Sequence, residues 1–355
     1  MIGDDHRRGA DLWEPEGIYL NTASYGLPPT PAWDPLQAAL ADWRVGRTSW
    51  EHWNEATEAA RASFARLCGV PAGWVAVGGA VSHFVGLVAA ALPDGARVLS
   101  TEAEFTSALW PFMAQGRGVE VNCVPVARLA EAIDARTHLV AFSAVQSSNG
   151  EVADLDRVAD AAAHHGALTL VDSTQASGWL PLNGRRFDAV VCGAYKWLVS
   201  PRGTAFMSAR PELRERLTPH AAGWYAGEDP YSSFYGPPLR LASDAHRFDV
   251  SPAWFSWVGT APALELLLDV GIERIHEHDL RLANLFREGL GLDPGDSAIV
   301  SAEVPGAEER LRETAIMAAA RAGRLRTSWH LYNTEDDVQR VLDAISPVAA
   351  RRSRP

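Results

Sequence analysis

The stretch Cys192-Gly193-Ala194-Tyr195-Lys196-Trp197 holds the single lysine of a 355-residue chain in which lysine and arginine together number 32. A guanidinium replaces an ammonium in most surface ion pairs, but it forms no imine with an aldehyde. A lysine amine does, once desolvation or a neighbouring charge lowers its pKa. Arginine everywhere but at one position points to chemistry that needs an amine, although a coding bias that spared one lysine by chance leaves the same count. Upstream, Val171-Asp172-Ser173-Thr174-Gln175 places an acid at the end of an apolar run, and Gly78-Gly79-Ala80 closes another where an apolar helix begins. Such a turn offers backbone N–H groups and a favourable dipole to a phosphate. Each feature has an ordinary reading, since a strand-end aspartate often caps a helix and a Gly-Gly-Ala turn often only starts one. Together, amine, acid and phosphate cradle suit pyridoxal phosphate. The amine condenses with its aldehyde, and the carboxylate keeps the pyridine nitrogen protonated so that the ring serves as an electron sink for a carbanion.

These groups have to be brought to one place by the elements around them. Ile18-Tyr19-Leu20-Asn21 reads as a short extended segment, followed by a helical stretch from about Pro35 to Leu67. Apolar runs at 74–77, 97–100, 119–124, 138–145, 167–172 and 187–193 read as strands, with an apolar helix from Val81 to Leu92. A second helix has Asp154 at its N-cap, Leu155, Val158, Ala159 and Ala162 on one face, and Gly166 past its end. Strands alternating with helices of this length imply right-handed βαβ units and a mostly parallel sheet, whose ligands sit beyond the carboxyl ends of the strands. Gly79, Asp172 and Lys196 all fall at or just past such ends. Beyond Pro201-Arg202-Gly203, residues 219–252 read as a long ordered loop, and helical patterns return at Pro262 to Asp269 and Ile272 to Leu290. A smaller unit closes the chain: a strand at 298–304, a helix near Glu308 to Ala322, Leu325-Arg326-Thr327-Ser328, and a last helix from Thr334 with Asp337 as a capping-box partner. The expected division is a large cofactor-binding domain over 30–249 and a small α+β domain over 250–355, with 1–29 packing against the latter.

Composition narrows the partners. A chain with 47% hydrophobic residues buries a large core, and a formal charge of -12, with no basic run except Arg351-Arg352-Ser353-Arg354, argues against nucleic acid and anionic membranes. Cys68, Cys123 and Cys192 are widely spaced and read as core residues, with no disulfide framework or metal site suggested. His164-His165, and His276 with His278, read as surface or helix-end residues rather than metal ligands. The start, Met1 to Arg8, lacks an apolar h-region, so a cytoplasmic protein is expected.

The motifs Tyr19-Leu20-Asn21-Thr22-Ala23, Gly78-Gly79-Ala80, Val171-Asp172-Ser173-Thr174-Gln175, Tyr195-Lys196-Trp197 with Pro201-Arg202-Gly203, and Leu325-Arg326-Thr327-Ser328 with Tyr332-Asn333-Thr334 together carry a resemblance. The chain resembles a fold-type I pyridoxal-phosphate enzyme of the class V aminotransferase superfamily, near its cysteine desulfurase and isopenicillin N epimerase-like branch. The resemblance implies an α/β fold with a mostly parallel central sheet flanked by helices, plus a smaller α+β domain. It implies Lys196 as the Schiff-base lysine, Asp172 at the pyridinium nitrogen, Gln175 at the phenolic oxygen and Phe105 stacked on the ring. Gly79, Ala80 and Val81 match the phosphate cradle. Many relatives have a hydroxyl where Val81 stands, so Tyr195 and Ser251 become candidates to contact the phosphate. Ser251, in Asp249-Val250-Ser251-Pro252, matches a segment that reaches the neighbouring subunit, which implies a homodimer sharing its sites. Arg326 matches the arginine that holds a substrate α-carboxylate, with Asn21 and Ser24 as further substrate-side residues, alongside Tyr25, Trp50, Trp224 and Tyr225.

Two departures bear on the reaction. Desulfurases of this superfamily place a histidine where Phe105 stands and a reactive cysteine on a late loop, in the region of Asp293 to Gly323; here no cysteine follows Cys192. The expected activity is removal of a Cα proton from an amino acid joined to the cofactor, aminotransferase-type, with a C–S or other β-elimination lyase or an epimerase as alternatives and a cysteine desulfurase ranked lower. A lysine-imine enzyme without a cofactor would not need Asp172, Gln175 or Gly79. A non-catalytic cofactor-binding regulator would normally carry an effector domain.

Overall fold

The computed structural model describes residues 12–312, 314–321 and 323–346, so the basic run at 351–354 and the start of the chain lie outside the described residues. Seven strands make the central sheet: β2 (Val75–Gly78), β3 (Arg97–Thr101), β4 (Glu120–Val124), β5 (Leu139–Ser143), β6 (Leu168–Asp172), β7 (Ala189–Gly193) and β8 (Ala205–Ala209). Their order is β2-β8-β7-β6-β5-β3-β4, parallel throughout except for β8, which runs antiparallel to β7 and β2. Helices cover both faces, so successive residues of one strand enter opposite cores. Val190 and Cys192 pack with Phe64, Trp179 and Trp257, whereas Val191 packs with Phe84, Phe112 and Met207.

All six parallel strands end on one rim. Sequence reading misses β8, because Ala205-Phe206-Met207-Ser208-Ala209 is a short run just after a turn, and only pairing with β7 on one side and β2 on the other makes it a strand. It also misses the helix Thr106–Met113 that follows Phe105. The single helical stretch expected from Pro35 to Leu67 is two helices, Thr30–Arg44 and Trp50–Cys68, parted at Gly46 with φ +79°, where a side chain would be strained. The helix expected from Pro262 begins earlier, at Trp254, and runs to Val270 with Pro262 inside it. Its first turn is held by aromatic packing, Phe255 lying 4.9 Å from Trp53 and 5.3 Å from Trp43 between ring centroids. The next helix is Ile272–Gly289.

The late unit holds a three-stranded antiparallel sheet, β11 (Ala319–Arg321), β12 (Arg324–Ser328) and β9 (Ile299–Ala302). The helix expected over 308–322 corresponds to a short one, Ala307–Arg312, followed by β10 (Ile316–Met317) and β11. Alanine-rich sequence favours helix locally, but pairing of β10 with β1 (Ile18–Tyr19) and of β11 with β12 overrides that preference. Ile18 and Leu20 join Phe286, Val300, Trp329 and Val341 in the core of this unit. The last helix, Glu335–Ile345, carries the expected capping box between Thr334 and Asp337. No single helix among the described residues is long and apolar enough to cross a membrane.

Candidate active site

Lys196 lies in the turn between β7 and β8 and is 5% exposed. The turn is clamped on both sides. Gly26 N–H donates to the Tyr195 carbonyl at 2.9 Å, and a Cβ added at Gly26 would sit 2.0 Å from the Lys196 carbonyl oxygen. Gly178, at φ +111°, packs the same way against the Trp197 carbonyl. Both positions therefore require glycine. Val199 closes the turn with φ +45°, a strained value for a β-branched residue. Burial lowers the Lys196 amine to about 8 against the opposing pull of Asp172, and Arg326 adds to the lowering.

Asp172 ends β6 and is buried, with the Thr174 N–H donating to its Oδ1 at 2.8 Å. Thr174 Oγ1 in turn accepts the Gly193 N–H at 2.9 Å, which locks the end of β6 to the end of β7 and sets acid and amine in register. Burial raises the Asp172 pKa, opposed by the Thr174 bonds and by Lys196, so a cation beside the carboxylate would favour its charged form. Gln175 spends its amide on the same scaffold: Nε2 donates to the Ala23 carbonyl and to Ser147 Oγ, both at 2.9 Å, and Oε1 accepts Trp197 Nε1–H at 2.8 Å.

The Phe105 ring centroid is 5.3 Å from Lys196 Nζ and that of Tyr195 is 5.7 Å. Phe105 is half-exposed, and its place depends on a residue the sequence did not single out. The buried Glu104 carboxylate accepts from the Phe105 and Ser143 amides, the Thr101 and Ser143 hydroxyls and Gln146 Nε2. Besides the nearby Thr101 and Phe105, its partners Ser143 and Gln146 lie about forty residues downstream, where no local pattern could show them.

On the other side, β2 ends at Gly78 and the helix Val81–Ala91 begins with Ala80 as N-cap, with no side-chain hydrogen bond to its first amides. His83 Nε2, in that first turn, is buried without a partner, and burial lowers its pKa and favours the neutral ring. Asp249 accepts the Val77 N–H at 2.7 Å and pairs with the buried Arg61 at 2.6 Å, which ties the segment leading to exposed Ser251 to the strand before the cradle.

Arg326 is 2% exposed and reaches into this region from β12, donating to the Ser147 carbonyl and, at 2.7 Å, to Ser24 Oγ. Its Nε has no partner, nor has the buried Asn21 Oδ1. Sequence alone could not separate Arg326 from Arg324. The structure does, because Arg324 turns to Ser301 and Glu303. Trp50, Trp224 and Tyr225 group with one another: Trp50 meets Trp224 edge-on and lies tilted against Tyr231 and Trp254, and Tyr225 donates to Asn54. Tyr25 accepts the Arg202 N–H on its hydroxyl. Among the histidines, His164 and His165 are exposed, whereas His276 is half-buried and stacks on Trp179 at 5.7 Å. Cys68 and Cys192 are core residues as expected, but Cys123 is exposed, because β4 is an edge strand.

The donor set fits an aldehyde cofactor with a phosphate and a basic ring nitrogen. A buried amine of lowered pKa, a buried acid with one amide partner, an aromatic ring near the amine and an uncapped helix start with an unpartnered imidazole match its chemical groups one by one.

Comparison with known proteins agrees. Residues 43–305 match the model of the family described as aminotransferase class-V. An uncharacterized aminotransferase, YcbU, of Bacillus subtilis is 28% identical over 342 residues, covering 88% of this chain and 90% of that protein. Isopenicillin N epimerase of Streptomyces clavuligerus is 28% identical over 399 residues, 96% of this chain and 97% of that one. Among solved structures, the cysteine desulfurase CsdA of Escherichia coli superposes with a TM-score of 0.82 at 22% identity, over 96% of this chain and 97% of that one. The cystine C–S lyase C-DES, in complex with its product cysteine persulfide, does so with 0.83 at 21%, over 93% and 97%. At these identities the structural likeness is one of fold. The family match covers most of the chain: it belongs to the class V aminotransferase family of pyridoxal-phosphate-dependent enzymes.

Proposed function

We propose that this enzyme acts on an α-amino acid by aminotransferase-type chemistry, with Lys196 as the amine that joins the cofactor and afterwards moves the Cα proton. When bound, pyridoxal phosphate supplies the sink for the electron pair that deprotonation leaves behind. The observation that carries the reading is the placement of Lys196: an amine only 5% exposed, 5.3 Å from the Phe105 ring centroid, on a turn tied to the end of β6, where burial lowers its pKa to about 8. An amine near that value can take up and return a proton close to neutral pH.

In this reading Asp172 holds the proton on the ring nitrogen, and Phe105 covers the ring. The amides at Gly79, Ala80 and Val81 take the phosphate, with His83, Tyr195 and Ser251 as side-chain partners. Gln175 would meet the phenolic oxygen. Arg326, with Ser24 and Asn21, holds the α-carboxylate.

Phe105 has no proton to give, so proton movement falls to Lys196. One base that takes the Cα proton and delivers it on the same side suits amino-group transfer better than inversion by two bases. The name of the Bacillus relative supports this reading. Inversion at Cα is the second reading, supported by an epimerase relative aligned over 96% of this chain. A persulfide route has less support, since Cys192 is buried with its thiol pushed up to about 12 and Cys68 is buried too. The test is to incubate the cofactor-loaded protein with single amino acids. Stoichiometric keto acid without ammonia is expected; ammonia release or an inverted centre without keto acid would overturn it. We also infer a homodimer, from exposed Ser251 following fully buried Asp249, and sedimentation at a single-subunit mass would refute that.

A further inference from the structure

Two guanidinium groups converge on one hydroxyl. Ser24 Oγ accepts from Arg326 Nη2 at 2.7 Å and from Arg321 Nη2 at 3.3 Å, which uses both of its lone pairs. Arg326 is buried in β12, and Arg321 is exposed at the end of the neighbouring strand β11. Neither has an acidic partner among the described residues, and Arg326 Nε has no partner at all. Elsewhere the chain answers such groups: buried Arg61 meets Asp249 at 2.6 Å, and Arg324 meets Glu303 at 2.7 Å. With a formal charge of -12, acids are not scarce. Two like charges sharing one neutral acceptor repel, and burial of one enlarges the cost, so the arrangement is reasonable in a site that anions fill. Arg321 acts on its neighbour accordingly, since burial first and Arg321 second lower the Arg326 pKa to about 10.

One α-carboxylate has two oxygens, which a single guanidinium already engages in bidentate fashion. That leaves the outer guanidinium for a second anionic group. We propose that the substrate is an amino acid with an acidic side chain, its α-carboxylate on Arg326 and its side-chain anion on Arg321. This rests on the reading of Arg326 as a substrate residue and adds the chemical class of the side chain. Arg321 is then a specificity residue: it leaves the reacting atoms alone and selects what is carried beside them.

The experiment compares wild type, Arg321→Ala, Arg321→Lys and Arg326→Ala, all cofactor-loaded. The first readout is binding of inert glutarate and of butyrate by calorimetry, which needs no turnover. Wild type should bind glutarate at least roughly tenfold more tightly than butyrate, Arg321→Ala should erase that ratio while keeping butyrate binding, and Arg321→Lys should restore part of it. The second is kcat/KM for glutamate against glutamine and aspartate against asparagine, where Arg321→Ala should lower only the acidic member of each pair. Equal losses for acid and amide would mean that both arginines hold one carboxylate, and equal binding of glutarate and butyrate by wild type would mean that no second anion is recognised. Either result overturns the inference while leaving Arg326 in place. If Arg326→Ala leaves both ligands unaffected, the underlying reading of that residue fails instead.

Discussion

The imidazole of His330 bridges Asp279 and the lysine turn: its Nδ1 is 2.9 Å from Asp279 Oδ2 and its Nε2 is 3.1 Å from the Trp197 carbonyl. A carbonyl only accepts, so Nε2 carries hydrogen, and the contact to Asp279 holds a second one on either partner. Both side chains are fully buried, and Asp279 Oδ1 has no hydrogen bond. Burial raises the Asp279 pKa while His330 opposes the rise. His330→Phe leaves that carboxylate unanswered and should cost about 3–5 kcal/mol in urea unfolding. The double variant with Asp279→Leu should recover part of the loss. A single-variant loss under about 1 kcal/mol would show that the pair does not brace the turn.

Lys196 gives a stability prediction with a defined sign. Folding lowers its pKa from 10.5 to about 8, so the folded state binds the proton less tightly than the unfolded state. The resulting deficit is complete below pH 8 and fades as pH climbs from about 8 to 10.5. In the cofactor-free protein, Lys196→Met should therefore be more stable by about 3 kcal/mol at pH 7, at 1.36 kcal/mol per unit, and the advantage should be gone by pH 11. Equal stabilities at pH 7 would mean the amine is not desolvated. The same variant should take no pyridoxyl label when pyridoxal phosphate and borohydride are added, whereas the parent labels at Lys196.

Asp172→Asn should retain the cofactor yet lose roughly 100- to 1,000-fold in turnover, because an amide cannot hold the ring nitrogen's charge where it matters, in the transition state. Substrate binding should change little. Near-normal kcat would reduce Asp172 to an acceptor for the Thr174 amide.

Replacing Cys68 and Cys192 with Ala and Cys123 with Ser should leave the reaction within about twofold, after about 1 kcal/mol lost at each of the two buried sites. Mass spectrometry and circular dichroism would confirm a folded, cofactor-loaded protein. Abolished turnover in that protein would revive a sulfur-carrier route.

Much of the site could be read from the sequence because its residues stand at the ends of apolar runs. Asp172 ends β6, Lys196 follows β7 and Gly79 follows β2, so strand reading alone brought them to one rim. What escaped depends on distant partners. Glu104 looks like any acid between strand and helix until Ser143, at the end of β5, and Gln146 just past it arrive. Ser147 and His330 gain meaning only through Gln175, Arg326 and Trp197. The stretch 308–322 misled for the opposite reason: its local preference is helical, and β1 and β12 outbid it.

The clamp on the lysine turn also sets an order of events during synthesis. Gly26 holds Tyr195, Ala23 accepts from Gln175 and Ser24 receives Arg326, while Asn21 bridges to Ser328. Ser24 and Arg326 are 302 residues apart. At ribosomal speed that separation is roughly 15–60 s, during which the strap at 18–26 has no partner in the late unit. The parallel strands and their helices can form in that interval, since their pairings are complete by Ala209. The contacts of Arg326 to Ser24 and Ser147 cannot, and any fragment ending before β12 lacks them. The contact between Ser24 and Arg326 therefore waits for β12, long after the sheet that carries Lys196 has its strands.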